Sequence, residues 1–170
     1  KKEGFSSGEF IYQQWSYDNA GRLAQESVPS FSFPITMLST TTYDDLGRVQ
    51  SVTKADGGSS VYIYGIDGNH RKTTQNVTIA ASASGASNRT SMREDYFSAD
   101  GLVIKSIQAV GDATDEVTTL YDYDPQQNLD WTQVQVPNAN DNVVITQKFD
   151  AMGNRIYMND PDTGIIVDTY

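Results

Sequence analysis

One short unit returns along this chain and limits what it can fold into. It consists of an aromatic residue, an aspartate, two variable residues, a glycine, then a polar or basic residue and an apolar one. The clearest copies are Tyr17-Asp18-Asn19-Ala20-Gly21-Arg22-Leu23 and Tyr43-Asp44-Asp45-Leu46-Gly47-Arg48-Val49. A third, Phe149-Asp150-Ala151-Met152-Gly153-Asn154-Arg155, keeps aspartate and glycine. Three more depart from the pattern: Gly65 follows Tyr64 in the copy that reaches Gly68, Ser98 follows Phe97 in the copy that reaches Gly101, and Gln127 takes the glycine place after Tyr123 and Asp124. The leading aromatics are spaced 26, 21, 33, 26 and 26 residues apart, and a further step of 21 reaches Tyr170. A period of this length means stacked supersecondary units.

Each residue type in the unit has a physical reason to be there. The glycine suits a turn position with positive φ. The aspartate three residues earlier can accept hydrogen bonds from turn N–H groups. The aromatic ends one strand, and the residues after glycine begin the return strand. Alternation agrees: Val117, Thr119, Tyr121 and Tyr123 are expected on one face, with Thr118, Leu120 and Asp122 on the other. Leu129 and Trp131 are expected to share a face of the next strand, and Val143, Ile145, Gln147 and Phe149 continue the style. A second turn closes each unit, at Asp56-Gly57-Gly58, Pro137–Asn142 and Asp160–Gly164. The longest interval holds the small-residue stretch around 80–90, expected to be a loop insertion. The expected fold is all-β: antiparallel hairpin repeats forming a curved or spiralling open sheet, with about six repeats in a single region, 1–170. At 170 residues the chain is also long enough for an ordinary domain with a core.

Composition narrows the function. There is no cysteine and a single histidine, His70, which removes disulfides, thiolate metal sites and multi-histidine centres. A formal net charge of −10 opposes binding to phosphate backbones, so nucleic acid is not an expected partner. No apolar run approaches the ~20 residues of a membrane helix, and no signal-peptide pattern follows Lys1.

The unit Tyr-Asp-x-x-Gly-Arg-Leu resembles the YD repeat of RHS-repeat proteins. Tyr17–Leu23 matches it fully and Tyr43–Val49 with one change, and the six copies cover about Phe10 to Tyr170. The family includes bacterial polymorphic toxins, components of insecticidal toxin complexes, wall-associated proteins and teneurins. The resemblance implies that the chain is a segment of an RHS-type β-shell, in which the repeats spiral into a hollow wall around a toxin or other domain. It implies a secreted or cell-surface protein, more in keeping with bacteria, whose activity resides in other domains. The expected partners are other repeats of a longer parent protein and an enclosed domain, with self-association through open sheet edges. No catalytic residue, metal or cofactor is carried over, because nothing matches the family's autoproteolytic aspartate region.

Other readings attach to particular residues. Trp15 and Trp131 are candidates for stacking a glycan, which would make the chain a carbohydrate- or protein-binding adhesion module; interior-face packing is the plainer expectation. Asp44-Asp45, Asp122 with Asp124, and Asp160 with Asp162 are candidate calcium carboxylates, but lack EF-hand spacing, and solvated turns explain them. His70 is expected to be a surface residue. A hydrolase would need two carboxyl groups about 5–10 Å apart in a cleft, and no pair stands out among 22 acidic residues. Asn76-Val77-Thr78 and Asn88-Arg89-Thr90 fit the N-glycosylation acceptor pattern.

Overall fold

The computed structural model describes residues 3–4, 10–81, 87–112 and 114–169. Among these the fold is all-β. A two-stranded pair, β1 (Glu3–Gly4) with β2 (Phe10–Ile11), precedes a sheet of thirteen antiparallel strands. These are β3 (Trp15–Tyr17), β4 (Leu23–Ser27), β5 (Met37–Tyr43), β6 (Val49–Lys54), β7 (Ser59–Asp67), β8 (His70–Ile79), β9 (Arg89–Phe97), β10 (Val103–Gln108), β11 (Val117–Tyr123), β12 (Leu129–Gln135), β13 (Val143–Phe149), β14 (Arg155–Asp160) and β15 (Gly164–Val167). Each strand neighbours the next in sequence, so the sheet is an open meander from β3 to β15. From β5 to β13 the strands are 6 to 10 residues long. One turn of 3₁₀ helix, Ala139–Asp141, closes the Pro137–Asn142 turn, with the Asn138 side chain accepting from the Asn140 N–H.

Two compact units divide the chain: residues 1–63 with 75–90, and residues 64–74 with 91–170. The first contains β3 to β6 and the parts of β7 and β8 that adjoin the Lys54–Gly58 turn. The second contains the Asp67–His70 turn and β10 to β15. Of the expected loop insertion, Ala80, Ala81, Ser87 and Asn88 carry no strand and β9 starts at Arg89; residues 82–86 lie outside the described residues, as does Tyr170.

The expectation of a core is corrected. Among the described residues no large apolar side chain is buried; the buried side chains are the polar Ser27, Thr74 and Ser106. A side chain in a sheet is buried only where another layer covers its face. Stabilisation then comes from the ladder and from cross-strand neighbours, each such pair contributing roughly 0.2–1 kcal/mol. Examples are the Thr42 and Ser51 hydroxyls 2.7 Å apart, and the Lys105 ammonium 4.8 Å from the Tyr96 ring.

A further device had no sequence signature. At five motifs the register slips by one residue where the return strand begins. Tyr17 pairs with Leu23 but Ser16 with Gln25; Tyr43 pairs with Val49 but Thr42 with Ser51. Phe97 and Tyr96 pair with Val103 and Lys105, Tyr123 and Asp122 with Leu129 and Trp131, Phe149 and Lys148 with Arg155 and Tyr157. The extra residue of each β-bulge is Ala24, Gln50, Ile104, Asp130 and Ile156. A bulge raises local twist and re-aims the side chains beyond it. This overturns one expectation: Leu129 pairs with Tyr123 and Trp131 with Asp122, adjacent residues of β11, so Leu129 and Trp131 face opposite sides.

The third copy also differs. β7 runs past Tyr64 to Asp67, and β8 begins at His70. Gly68, with φ 58, opens a tight two-residue turn of the kind that places glycine first.

Candidate functional site

The residues singled out by the repeat meet at its turns. At Tyr17 the strand ends and Asp18 opens a type I turn: the Gly21 N–H donates to the Asp18 carbonyl at 3.0 Å, and the Asp18 N–H to the Arg22 carbonyl at 2.9 Å. Gly21 has φ 78, closing the three-residue hairpin loop in the left-handed region. The Asp18 carboxylate fills the inside of the turn. Its Oδ1 accepts from the N–H groups of Ala20 and Arg22, each at 2.9 Å, and its Oδ2 accepts from the Arg22 guanidinium at 2.7 Å. The same set recurs at Asp44, with the N–H groups of Leu46 and Arg48 and the Arg48 guanidinium.

At Asp124 and Asp150 the amide side chains of Asn128 and Asn154 replace the guanidinium, at 2.9 and 3.0 Å. The requirement after glycine is thus a side-chain donor, a role for Asn128 that sequence reasoning missed. The Ser98 copy keeps only one such bond, with the Leu102 N–H donating to Oγ at 3.2 Å.

Gln127 takes the glycine place with φ 68. A non-glycine residue pays roughly 1–2 kcal/mol for that conformation. Gln127→Gly is therefore expected to stabilise the chain by about 1 kcal/mol, less than the full strain because glycine also gains freedom in the unfolded chain. Urea denaturation measures it; an unchanged or lowered midpoint would contradict the assignment.

The turns are joined from unit to unit. The Tyr43 hydroxyl donates to the Leu23 carbonyl at 2.9 Å, and the Tyr123 hydroxyl to the Val103 carbonyl at 2.8 Å. The Arg22 guanidinium lies 4.4 Å from the centre of the Tyr43 ring. A Cβ on Gly47 would stand 3.3 Å from the Arg22 guanidinium, and one on Gly101 would stand 3.2 Å from that of Arg71. Arg71 also lies 5.9 Å from the Phe97 ring. The third copy, despite its different turn, thus supplies an arginine to the next aromatic. Sequence comparison passed over Arg71 because it stands beyond the expected position.

These contacts set the acid–base behaviour. The Asp18 carboxyl is held below its ordinary value first by the Arg22 N–H, against partial desolvation. For Asp124 and Asp150 the Asn128 and Asn154 side chains lead. At Asp44, desolvation pushes upward and is outweighed by the side-chain and backbone bonds from Arg48. A lowered folded-state pKa stabilises above the unfolded value, near 3.9 for aspartate, and that stability is lost as pH falls through the folded value. Relief of repulsion in a chain of net charge −10 acts in the opposite sense on acidification. In high salt, where repulsion is screened, the melting temperature is expected to fall as pH drops below about 4. A chain carrying Asp18→Asn, Asp44→Asn, Asp124→Asn and Asp150→Asn should lose much of that slope; an equal slope would refute the role of these carboxylates.

The second unit holds one more polar cluster. The Glu94 carboxylate accepts from Lys72 at 2.9 Å, Thr74 at 3.2 Å and the Tyr96 hydroxyl at 2.8 Å. Burial, then the hydrogen bond to Glu94, pushes the Tyr96 phenol up to about 12. Its polar groups satisfy one another across neighbouring strands.

The remaining candidates are placed as follows. Trp15, in β3, and Trp131, in β12, are half-buried; Trp15 is cross-strand from Glu26, and Trp131 from Asp122 and Thr146. His70 is exposed at the start of β8. Asn76 is half-buried within β8, while Asn88 is exposed before β9 and its side chain accepts from the Ala81 N–H at 3.1 Å. The Asp44 and Asp124 carboxylates are occupied by their turns, Asp122 accepts from the Tyr123 N–H, and Asp160 from the Asp162 N–H. Among the described residues, no three His, Asp or Glu side chains converge as a metal site would require, and no helix is long and apolar enough to cross a membrane. No protein-family model matches the chain, and no curated protein matches it.

Proposed function

We propose that this chain is a non-catalytic wall segment of an RHS-type β-shell, part of a longer secreted or cell-surface protein that encloses or displays another domain. The observation that supports this reading is the use of the motif residues. Asp18, Arg22, Tyr43 and Gly47 form one connected set of turn bonds and unit-to-unit contacts. Side chains committed in this way build a continuous sheet and leave little for chemistry. An open meander with apolar side chains on display, among them Ile63 at 56% and Ile165 at 66% exposure, suits a wall whose faces meet other parts of a large protein.

Electron cryomicroscopy of the longer protein tests the proposal. The expected map shows these strands continuous with further repeats in a closed wall around a separate domain. A map in which the segment stands apart as an outward lobe would overturn it. Glycan binding that is lost in a folded Trp15→Ala or Trp131→Ala chain would favour the adhesion reading instead.

A further inference from the structure

One methionine of this chain has a cation at its sulfur. Met158, half-buried in β14, accepts a hydrogen bond at Sδ from Nη1 of Arg155 at 3.2 Å. Its cross-strand neighbours are Gln147 on β13 and Ile166 on β15. Among the described residues no other methionine sulfur accepts such a bond. Met152, in the Asp150–Gly153 turn, is 89% exposed. The Arg155 guanidinium is itself poorly supplied. Its Nε is buried with no hydrogen-bond partner, and its Nη2 stands 3.5 Å from the Asp168 carboxylate, the outer limit of such a contact. A guanidinium carries several N–H donors and a thioether is a weak acceptor, so this one is under-satisfied.

We propose that Met158 is a stereoselective oxidation site, converted by a hydroperoxide to one sulfoxide epimer whose oxygen the Arg155 guanidinium then holds. The Arg155 N–H occupies one lone pair of the sulfur, so the oxidant reaches the other. That free pair attacks one oxygen of hydrogen peroxide; the S–O bond forms and the O–O bond breaks. The departing hydroxide takes the proton of the transferred oxygen and leaves as water. Sulfur is oxidised by two electrons and the peroxide is reduced by the same two. A turn about the Cγ–Sδ bond brings the new oxygen, a stronger acceptor than sulfur, to the guanidinium. Oxidation ordinarily puts a polar group where an apolar one was packed; at Met158 it supplies the acceptor that Arg155 lacks. Sulfoxide reductases each repair one epimer, so a single epimer makes this site the substrate of one of them. The chemistry needs only β14 and Asp168, whatever larger protein the chain belongs to.

The test exposes the whole folded chain to hydrogen peroxide, digests it, and measures the epimers at each methionine with the two epimer-specific sulfoxide reductases. At Met158 one epimer is expected in about 5-fold excess, the bias that one ordinary hydrogen bond gives. At Met152 the epimers should be equal. The same oxidation in urea should leave Met158 without a bias. In the oxidised folded chain the Arg155 Nε–H resonance is expected to shift, with those of Arg22 and Arg48 unmoved. Equal epimers at Met158 in the folded chain, an excess that persists in urea, or an unmoved Arg155 resonance would each overturn the proposal. Arg155→Ala should abolish the excess while its β14 amide shifts match those of the unchanged chain. An excess retained there would assign the bias to the strand and also overturn the proposal. If Arg155→Ala loses β14, the urea comparison and the Arg155 resonance, both read on the unchanged chain, decide alone.

Discussion

Gly47→Val is expected to destabilise the chain by about 2–3 kcal/mol, while Gly65→Ala leaves it unchanged or slightly more stable. Both glycines belong to repeat motifs, and their surroundings differ. Gly47 has φ 80, where a β-branched residue is strained, and its side-chain position faces the Arg22 guanidinium at 3.3 Å. Valine would both strain the turn and push Arg22 off Tyr43. Gly65 lies within β7, has no positive φ, and has open space where a Cβ would go. Chemical denaturation of the two variants separates a conformational requirement from mere membership of the motif. Equal effects would contradict the turn geometry.

Tyr43→Ala should cost about 2 kcal/mol, and Tyr17→Ala less than about 0.5. The two tyrosines hold the same motif place. Truncating Tyr43 removes its hydroxyl bond to Leu23, its contact with the Arg22 guanidinium and part of a half-buried ring. Tyr17, 64% exposed at the edge strand, has far less to lose. A double-mutant cycle between Arg22→Ala and Tyr43→Ala should give a coupling of about 0.5–1 kcal/mol. A coupling near zero would mean that the guanidinium and ring are neighbours without being partners.

The turn was legible because its demands are local. An aspartate three residues before a glycine specifies a hydrogen-bonded turn with a left-handed residue, and Asp18-x-x-Gly21 and Asp44-x-x-Gly47 form it. Even the degenerate Asp124–Gln127 copy folds the same way, because the carboxylate still gathers the N–H groups of Gln126 and Asn128. The bulges were not legible. Ala24, Gln50, Ile104, Asp130 and Ile156 share no side-chain chemistry, since a bulge is a property of how two strands pair. That is why alternation placed Trp131 on the wrong face relative to Leu129. The third copy misled for another reason. Gly65 in the aspartate place removes the carboxylate that would hold the longer turn, so the strand runs on to Asp67 and Gly68 makes a tighter one. The missing core was invisible because a hydrophobic content of 38% does not reveal whether a second layer exists to receive those side chains.

The unit-to-unit contacts lie between the two cases. Tyr43 and Leu23, and Tyr123 and Val103, are each 20 residues apart. The repeat period suggests that neighbouring units touch, and only the register shows which atoms do. Those contacts join neighbouring turns, and they give the tyrosines Tyr43 and Tyr123 and the arginine Arg22 of the motif a structural use.

Residue-resolved amide hydrogen exchange, read as protection factors near neutral pH and again in acid, tests this central claim most directly. Protection is expected at the N–H groups of Ala20, Arg22, Leu46, Arg48, Gln126, Asn128, Met152 and Asn154, all bonded to motif aspartates. It should fall as those carboxylates are protonated, ahead of the strand centres. Free exchange of these amides at neutral pH, or protection indifferent to acid, would show that the motif residues do not hold the turns and would contradict the account.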